Sequence, residues 1–203
     1  FMADHVVKDV AALEALYGTP GKASLIKVAS QLTPLYRKWI MASRLCIVST
    51  VGPDGTDGSP RGDDGPVVQE LDAQTLLLPD WRGNNRIDTL RNIVSDGRIS
   101  LMFMVPGSNN VIRVNGTAVV SLDPAMLGRV DQKGRQPRSV VVIKIAEVYS
   151  QCARALMRAR TWGAGDESAG LPTIGALLAE QEAAFDGAAY DAEWAGRAEK
   201  TMW

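Results

Sequence analysis

Two segments, Ser59-Pro60-Arg61-Gly62-Asp63 and Leu78-Pro79-Asp80-Trp81-Arg82-Gly83-Asn84-Asn85-Arg86, bracket the stretch whose reading decides the fold. The first ends a β-favouring run: Leu45 to Val51 leads into Gly52-Pro53-Asp54-Gly55, a strong turn signal, and Thr56 to Arg61 returns as the second arm of a hairpin. Past a loop at Asp63 to Pro66, Val67-Val68 and Thr75 to Leu78 read as two short strands around a turn at Asp72-Ala73. A helix, Arg86 to Val94, follows the second segment and closes at Asp96-Gly97.

Outward from there the strands continue. Ile99 to Val105 and Val111 to Leu122 form another hairpin around Pro106-Gly107-Ser108-Asn109-Asn110. After a polar loop, Ser139 to Val148 is a long strand apolar on both faces, hence central and covered. Strands joined mainly by hairpins imply an antiparallel sheet, with enough strands to curl into a barrel. The expected class is mainly β with helices, an α+β fold.

Upstream, Asp4 is the expected cap of a first helix with Val6, Val7, Val10, Leu13 and Leu16 on one face, ended by Gly18 and Pro20. A second helix is expected over Lys22 to Leu32, and Thr33-Pro34 starts a third through Leu35, Trp39 and Ile40. Arg37 and Lys38 on it read as a solvated face. Downstream come a helix from Cys152 to Arg160, a Gly-rich loop from Thr161 to Pro172, and a stripe of Ile174, Leu177, Leu178, Gln181 and Phe185. Without repeats or low-complexity linkers the expectation is a single domain over 1–203: helices over 1–43, a barrel core over 44–149 and a helical extension over 150–203.

Composition excludes several classes. A net charge of −1 offers no basic field for nucleic acid or an anionic membrane. No apolar run approaches the ~20 residues of a spanning helix. Asp4, His5 and Lys8 interrupt the first ten residues before any apolar core forms, which argues against a secretion signal and for the cytoplasm. Two cysteines, Cys46 and Cys152, have no metal-like spacing, so no metal site is expected. His5 is the one histidine, so a Ser-His-Asp or Cys-His arrangement is out of reach and enzyme chemistry would reside in a cofactor.

Residue by residue, the bracketing segments favour an anion. Asn85 stands where a helix cap belongs, with Asp88 at the third helical position. The first turn of a helix offers unpaired N–H groups to a phosphate, and Arg82 and Arg86 add planar, charge-assisted donors. The plainer alternative is a capped helix with surface arginines. Arg61 ends a strand beside Gly62, whose missing side chain lets a ligand near the backbone; a surface turn is the alternative. Asp63 and Asp64 read as a turn before they read as an acid or base. Arg113, in a strand with Val111, Ile112 and Val114, faces either a site or solvent. Trp81 and Trp162 offer rings for stacking or for burial at an edge.

Taken together, Ser59-Pro60-Arg61-Gly62-Asp63, Leu78-Pro79-Asp80, Gly83-Asn84-Asn85-Arg86, Asp88-Thr89-Leu90-Arg91-Asn92-Ile93 and Ile112-Arg113-Val114-Asn115-Gly116 resemble the pyridoxamine 5′-phosphate oxidase-like flavin-binding split barrels, in a bacterial branch of FMN-dependent enzymes. The resemblance implies a split β-barrel homodimer with FMN at the subunit interface. It implies cofactor contacts from Ser59, Arg61, Gly62, Asp63, Leu78, Pro79, Asp80, Arg82, Asn84, Asn85, Arg86 and Arg113. Asn85 and Arg86 match a phosphate-gripping pair that is doubly basic in authentic oxidases; here the first is asparagine. The substrate-holding, Trp- and Arg-bearing end of those oxidases is replaced by an Ala-rich helical tail, which speaks against vitamin B6 oxidation. The implied activity is hydride transfer between FMN and a small organic substrate. The alternative is a non-catalytic flavin or haem binder on the same barrel.

Overall fold

Alternation at period two sets the sheet. In a computed structural model that describes residues 5–132 and 134–202, strand β1 (Leu45–Gly52) buries Cys46, Val48 and Thr50 and turns Ile47 and Ser49 outward. β2 (Gly55–Gly62), β3 (Gln69–Asp72), β4 (Thr75–Asp80), β5 (Arg98–Met104), β6 (Val111–Ser121) and β7 (Ser139–Gln151) complete it. The order is β2-β1-β5-β6-β7-β4-β3, with every neighbouring pair antiparallel. β2 and β3 end that order and no ladder joins them, so the expected antiparallel α+β fold is a split barrel rather than a closed one.

One core fills the inside. Cys46, Val48, Leu101, Phe103, Val114, Ile143 and Leu76 from five strands are fully buried together with Ile40 and Val68. β7 lies between β6 and β4, and both its faces are covered as expected. Val141, Ile143 and Ile145 face this core; Val140 packs with Leu77 against Val130 and the short helix α5 (Pro124–Arg129). That helix stands where the sequence reading placed a polar loop; Asp123 caps it by accepting from the Ala125 N–H at 2.8 Å.

α4 (Asp88–Ser95) lies against β1, burying Thr89 and Ile93. Gly52 makes room for it, since a Cβ there would overlap the Asn92 side chain, which donates to Thr50 Oγ1 at 3.2 Å. α3 (Pro34–Ile40) begins as expected, capped by Thr33. Arg37 is no free solvated residue: it forks onto Glu70 at 2.5 and 2.7 Å, tying α3 to β3.

Elsewhere the helices depart from expectation. α1 (Val10–Tyr17) is capped by Asp9, which accepts from Ala12 N–H at 2.8 Å; Asp4 lies outside the described residues. Val6 and Val7 precede that helix, and Val10, Leu13 and Leu16 are exposed. α2 (Lys22–Ile26) stops well before Leu32, because Ala29 leaves to exchange backbone hydrogen bonds with Val148 at 2.8 and 2.9 Å. β4 is too short to pair that end of β7, so the bridge satisfies groups that would otherwise go unmet. Val67 and Val68 are buried but lie just before β3; the Val67 N–H donates to the Ser43 carbonyl at 2.9 Å.

Beyond the sheet come α6 (Arg154–Ala159), α7 (Ile174–Gln181) and α8 (Gly187–Thr201). α7 and α8 touch backbone to backbone where Gly175 meets Gly187, and a Cβ on either would overlap the other's carbonyl oxygen. The Gly175 N–H donates to Asp191 Oδ1 at 2.8 Å. Phe185 lies past the end of α7 and packs on Tyr190 instead of continuing the stripe.

Two outcomes follow from these contacts. β6 bulges at Asn115/Gly116 against β7, and a Cβ on Gly116 would overlap the backbone carbonyl of Lys144, which cannot swing aside. Gly116→Ala should therefore destabilise by about 1–3 kcal/mol, the range for forced overpacking, measured by urea unfolding. Burial pushes the Cys46 thiol up to about 12 against the opposing charge of Arg61, whereas Cys152 is exposed. A thiol-specific reagent at pH 8 should label one cysteine in the native chain and both in denaturant. Because the native thiol holds its proton longer than an unfolded one, its contribution to stability is complete below about pH 8.5 and is lost as pH rises from there towards 12.

Candidate functional site

The split in the sheet is also a groove of about 940 Å³. β2 and β4 are far apart in sheet order, yet their C-terminal ends face each other across it. β2 contributes Ser59, Pro60, Arg61 and Gly62, followed by Asp63; β4 contributes Leu78, Pro79 and Asp80; the loop into α4 contributes Trp81, Arg82, Asn84, Asn85 and Arg86. Thus every residue of the two bracketing segments expected at a site lines one groove. Arg113 does not. It lies in β6 with its guanidinium 5.4 Å from the Tyr149 ring centre, on the outward face of the sheet.

The Arg61–Asp80 pair spans the split: Nη1 donates to Oδ1 at 2.8 Å, with the two side chains 23% and 16% exposed. Its Nε–H is buried and has no hydrogen-bond partner. Asp63 is equally occupied. Its Oδ2 accepts from the Trp81 indole N–H at 3.1 Å and from Gln132 Nε2 at 2.8 Å, while Oδ1 takes the Gly65 N–H at 3.4 Å. It fixes an aromatic wall of the groove rather than standing free as an acid or base. Trp162 is elsewhere, donating its indole N–H to the Ser108 carbonyl at 2.8 Å.

The loop before α4 differs from the expected cap. Asn85 is not the cap residue: the helix starts at Asp88 and its cap position is Ile87. Asn85 and Ile87 both take left-handed backbone, at φ 61° and 53°. The Asn84 side chain accepts from the Arg86 N–H at 3.0 Å, holding a turn that keeps 85–87 out of the helix. A β-branched residue at such a φ is strained. Among the described residues no side chain caps the first N–H groups of α4.

Charge around this loop is unevenly compensated. Arg86 Nε lies 2.5 Å from Asp88 Oδ2, and that carboxylate's hydrogen bond and charge raise the guanidinium's pKa further. Asp88 also lines the groove, with its carboxylate paired to this arginine. Arg82 and Arg138, both lining the groove, have no carboxylate within ion-pair distance among the described residues. Arg138 was missed by the sequence reading. It sits just before β7, where Ser139 pairs with Asp80, and it donates to Asn85 Oδ1 at 2.9 Å. Its signal, a basic residue opening the strand beside Asp80, was available only once β4 and β7 were known to pair. Trp194 of α8 and Met202, which caps its C-terminal end, reach the same groove and were also missed.

Comparison with known proteins adds the family. Residues 32–152, more than half of the chain, match the family model described as pyridoxamine 5′-phosphate oxidase. Among solved structures the chain is similar to HupZ of Group A Streptococcus, at 19% identity over 59% of this chain and 93% of that one, TM-score 0.49. It is similar to General Stress Protein 26 of Bacillus anthracis, at 16% identity over 56% and 88%, TM-score 0.43. A third similarity is to an FMN-binding protein of Syntrophomonas wolfei, at 12% identity over 57% and 88%, TM-score 0.42. No curated protein matches the chain.

Proposed function

The chain belongs to the pyridoxamine 5′-phosphate oxidase family, and from that premise we propose that it binds FMN in the groove at the split and acts as a flavin oxidoreductase on a small organic substrate. The observation that carries this reading is that Arg82 and Arg138 line the groove with no described carboxylate within ion-pair distance, beside the start of α4. Guanidinium forks and helix N–H groups are the donors a phosphate takes. The buried, unpartnered Nε–H of Arg61 is a further donor fit for a polar ring edge or an anion.

In this reading Arg82, Arg138 and the first turn of α4 hold the phosphate, with Arg86 at the rim. Arg61, kept in place by Asp80, and the backbone at Gly62 and Asp63 meet the ring. Pro60, Val67, Leu78 and Pro79 give the groove apolar surface that sheds water against a flat ligand. Trp81 closes one side, its indole fixed by Asp63. When bound, FMN supplies two-electron exchange with the substrate, and the protein supplies position and electrostatics. No side chain is assigned a proton-transfer role. A haem reading finds less support: the described residues lining the groove include no histidine, cysteine or tyrosine, and Met202 alone could serve as an axial ligand.

Homodimerisation belongs to the same proposal. Ile47, Met102, Arg113 and Tyr149 stand opposite one another along one row of β1, β5, β6 and β7, on the face turned away from the core. Arg113 would meet a flavin only from a second copy seated on that face.

The purified chain should bind FMN saturably with the two-band visible spectrum of oxidised flavin; failure to bind added FMN contradicts the proposal. Arg82→Ala and Arg138→Ala should each weaken binding about tenfold or more, from the worth of a hydrogen bond to a charged group. Anaerobic reduced nicotinamide should bleach the bound flavin; flavin that no donor or substrate reduces would favour a non-catalytic carrier. Light scattering on a sizing column should give twice the chain mass, and a monomer would remove Arg113 from the cofactor site.

A further inference from the structure

The groove has a wall that the family match does not cover. Trp194 of α8 and Met202 at its C-terminal cap line it, beyond residues 32–152. They are eight residues apart, so they stand near one face of the helix and about 12 Å apart along its axis. Both residues remain more than half exposed, at 55% and 56%. Trp194 is nevertheless held. Its ring lies 22° from parallel with Tyr190 at 6.4 Å between centres, and the Arg197 guanidinium sits 4.4 Å from the Tyr190 ring and 5.6 Å from that of Trp194. An aromatic residue braced by its helix neighbours yet open towards a groove is preorganised to take a ring.

We propose that Trp194 is a specificity-determining residue: α8 forms the substrate side of the groove and selects a flat, aromatic molecule that is uncharged where it meets the helix. This rests on the flavin reading above. The division of labour follows from where the residues lie. Arg61, Arg82, Arg86 and Arg138 lie, interleaved with Asp63, Asp64, Asp80 and Asp88, on the side built from residues 61–90 and 138, within the matched segment. Arg82 and Arg138, which have no described carboxylate within ion-pair distance, suit an anionic group. Trp194 in the added helix and Met202 at its cap bring aromatic and thioether surface without charge, so they bear on the second ligand. A thioether against a ring edge and an indole against a ring face both favour a conjugated molecule over a saturated one of equal size.

The test uses the full chain loaded with FMN, with 2-naphthol as the flat probe and decahydro-2-naphthol as its saturated counterpart, measured by titration calorimetry. FMN affinity is measured first on wild type, Trp194→Ala and Trp194→Phe. The proposal expects FMN affinity to agree within about threefold across the three. It expects 2-naphthol to bind the loaded wild type at least tenfold more tightly than decahydro-2-naphthol. Trp194→Ala should abolish that preference and Trp194→Phe should keep most of it, with unfolding midpoints unchanged. An equal affinity of the two probes for wild type, or a preference that survives in Trp194→Ala, overturns the proposal while leaving flavin binding intact. A parallel fall in FMN affinity in Trp194→Ala also overturns it, by making α8 part of the cofactor site. Absence of FMN binding in wild type sinks the flavin reading itself and this inference with it.

Discussion

The ion pair between Arg61 and Asp80 is the contact on which the site depends. The sheet does not close on itself: no ladder joins β2 to β4, so something else must set the spacing of their C-terminal ends. One carboxylate and one guanidinium, both largely buried, do this at 2.8 Å. The pair is costly to break from either side, because a partly buried charge left alone loses more than its partner. It also orders the rest. Arg61 lies opposite Cys46 in the β1–β2 register, Asp80 opposite Ser139 in the β4–β7 register, and so the groove inherits its width from both halves of the sheet.

Around that seam the charges divide into those that hold the fold and those left over. Arg37 is spent on Glu70, Arg61 on Asp80 and Arg86 on Asp88. Asp63 serves Trp81 and Gln132. Arg82 and Arg138 face the groove without such a partner among the described residues, next to a helix start whose cap position is a left-handed isoleucine. Strain of this kind persists only where surrounding structure fixes it, and here it sits at the rim of the groove.

The sheet was legible in the sequence because its signals are local. The Gly52-Pro53-Asp54-Gly55 turn, the alternation in Leu45 to Val51 and the two apolar faces of Ser139 to Val148 each follow from neighbours a few residues away. The helices before it were less so: Ala29 abandons a helical pattern to serve Val148, a demand made by a strand more than a hundred residues distant. Within the groove, the two bracketing segments could be named together, but the start of α4 could not be placed. Asn85 has the chemistry of a cap, and the turn closed by Asn84 displaces the helix by two residues. Arg138 carries no pattern of its own and gains meaning only from the pairing of Ser139 with Asp80. Trp194 lies in, and Met202 just past, an Ala-rich helix whose sequence gives no hint of what it borders.

The most direct test of the account is a crystal structure of the chain grown with FMN. The account predicts a flavin in the groove between the ends of β2 and β4, its phosphate within hydrogen-bonding distance of Arg82 or Arg138 and its ring beside Arg61. A flavin bound on another surface, or in this groove with its phosphate away from both arginines, would contradict it.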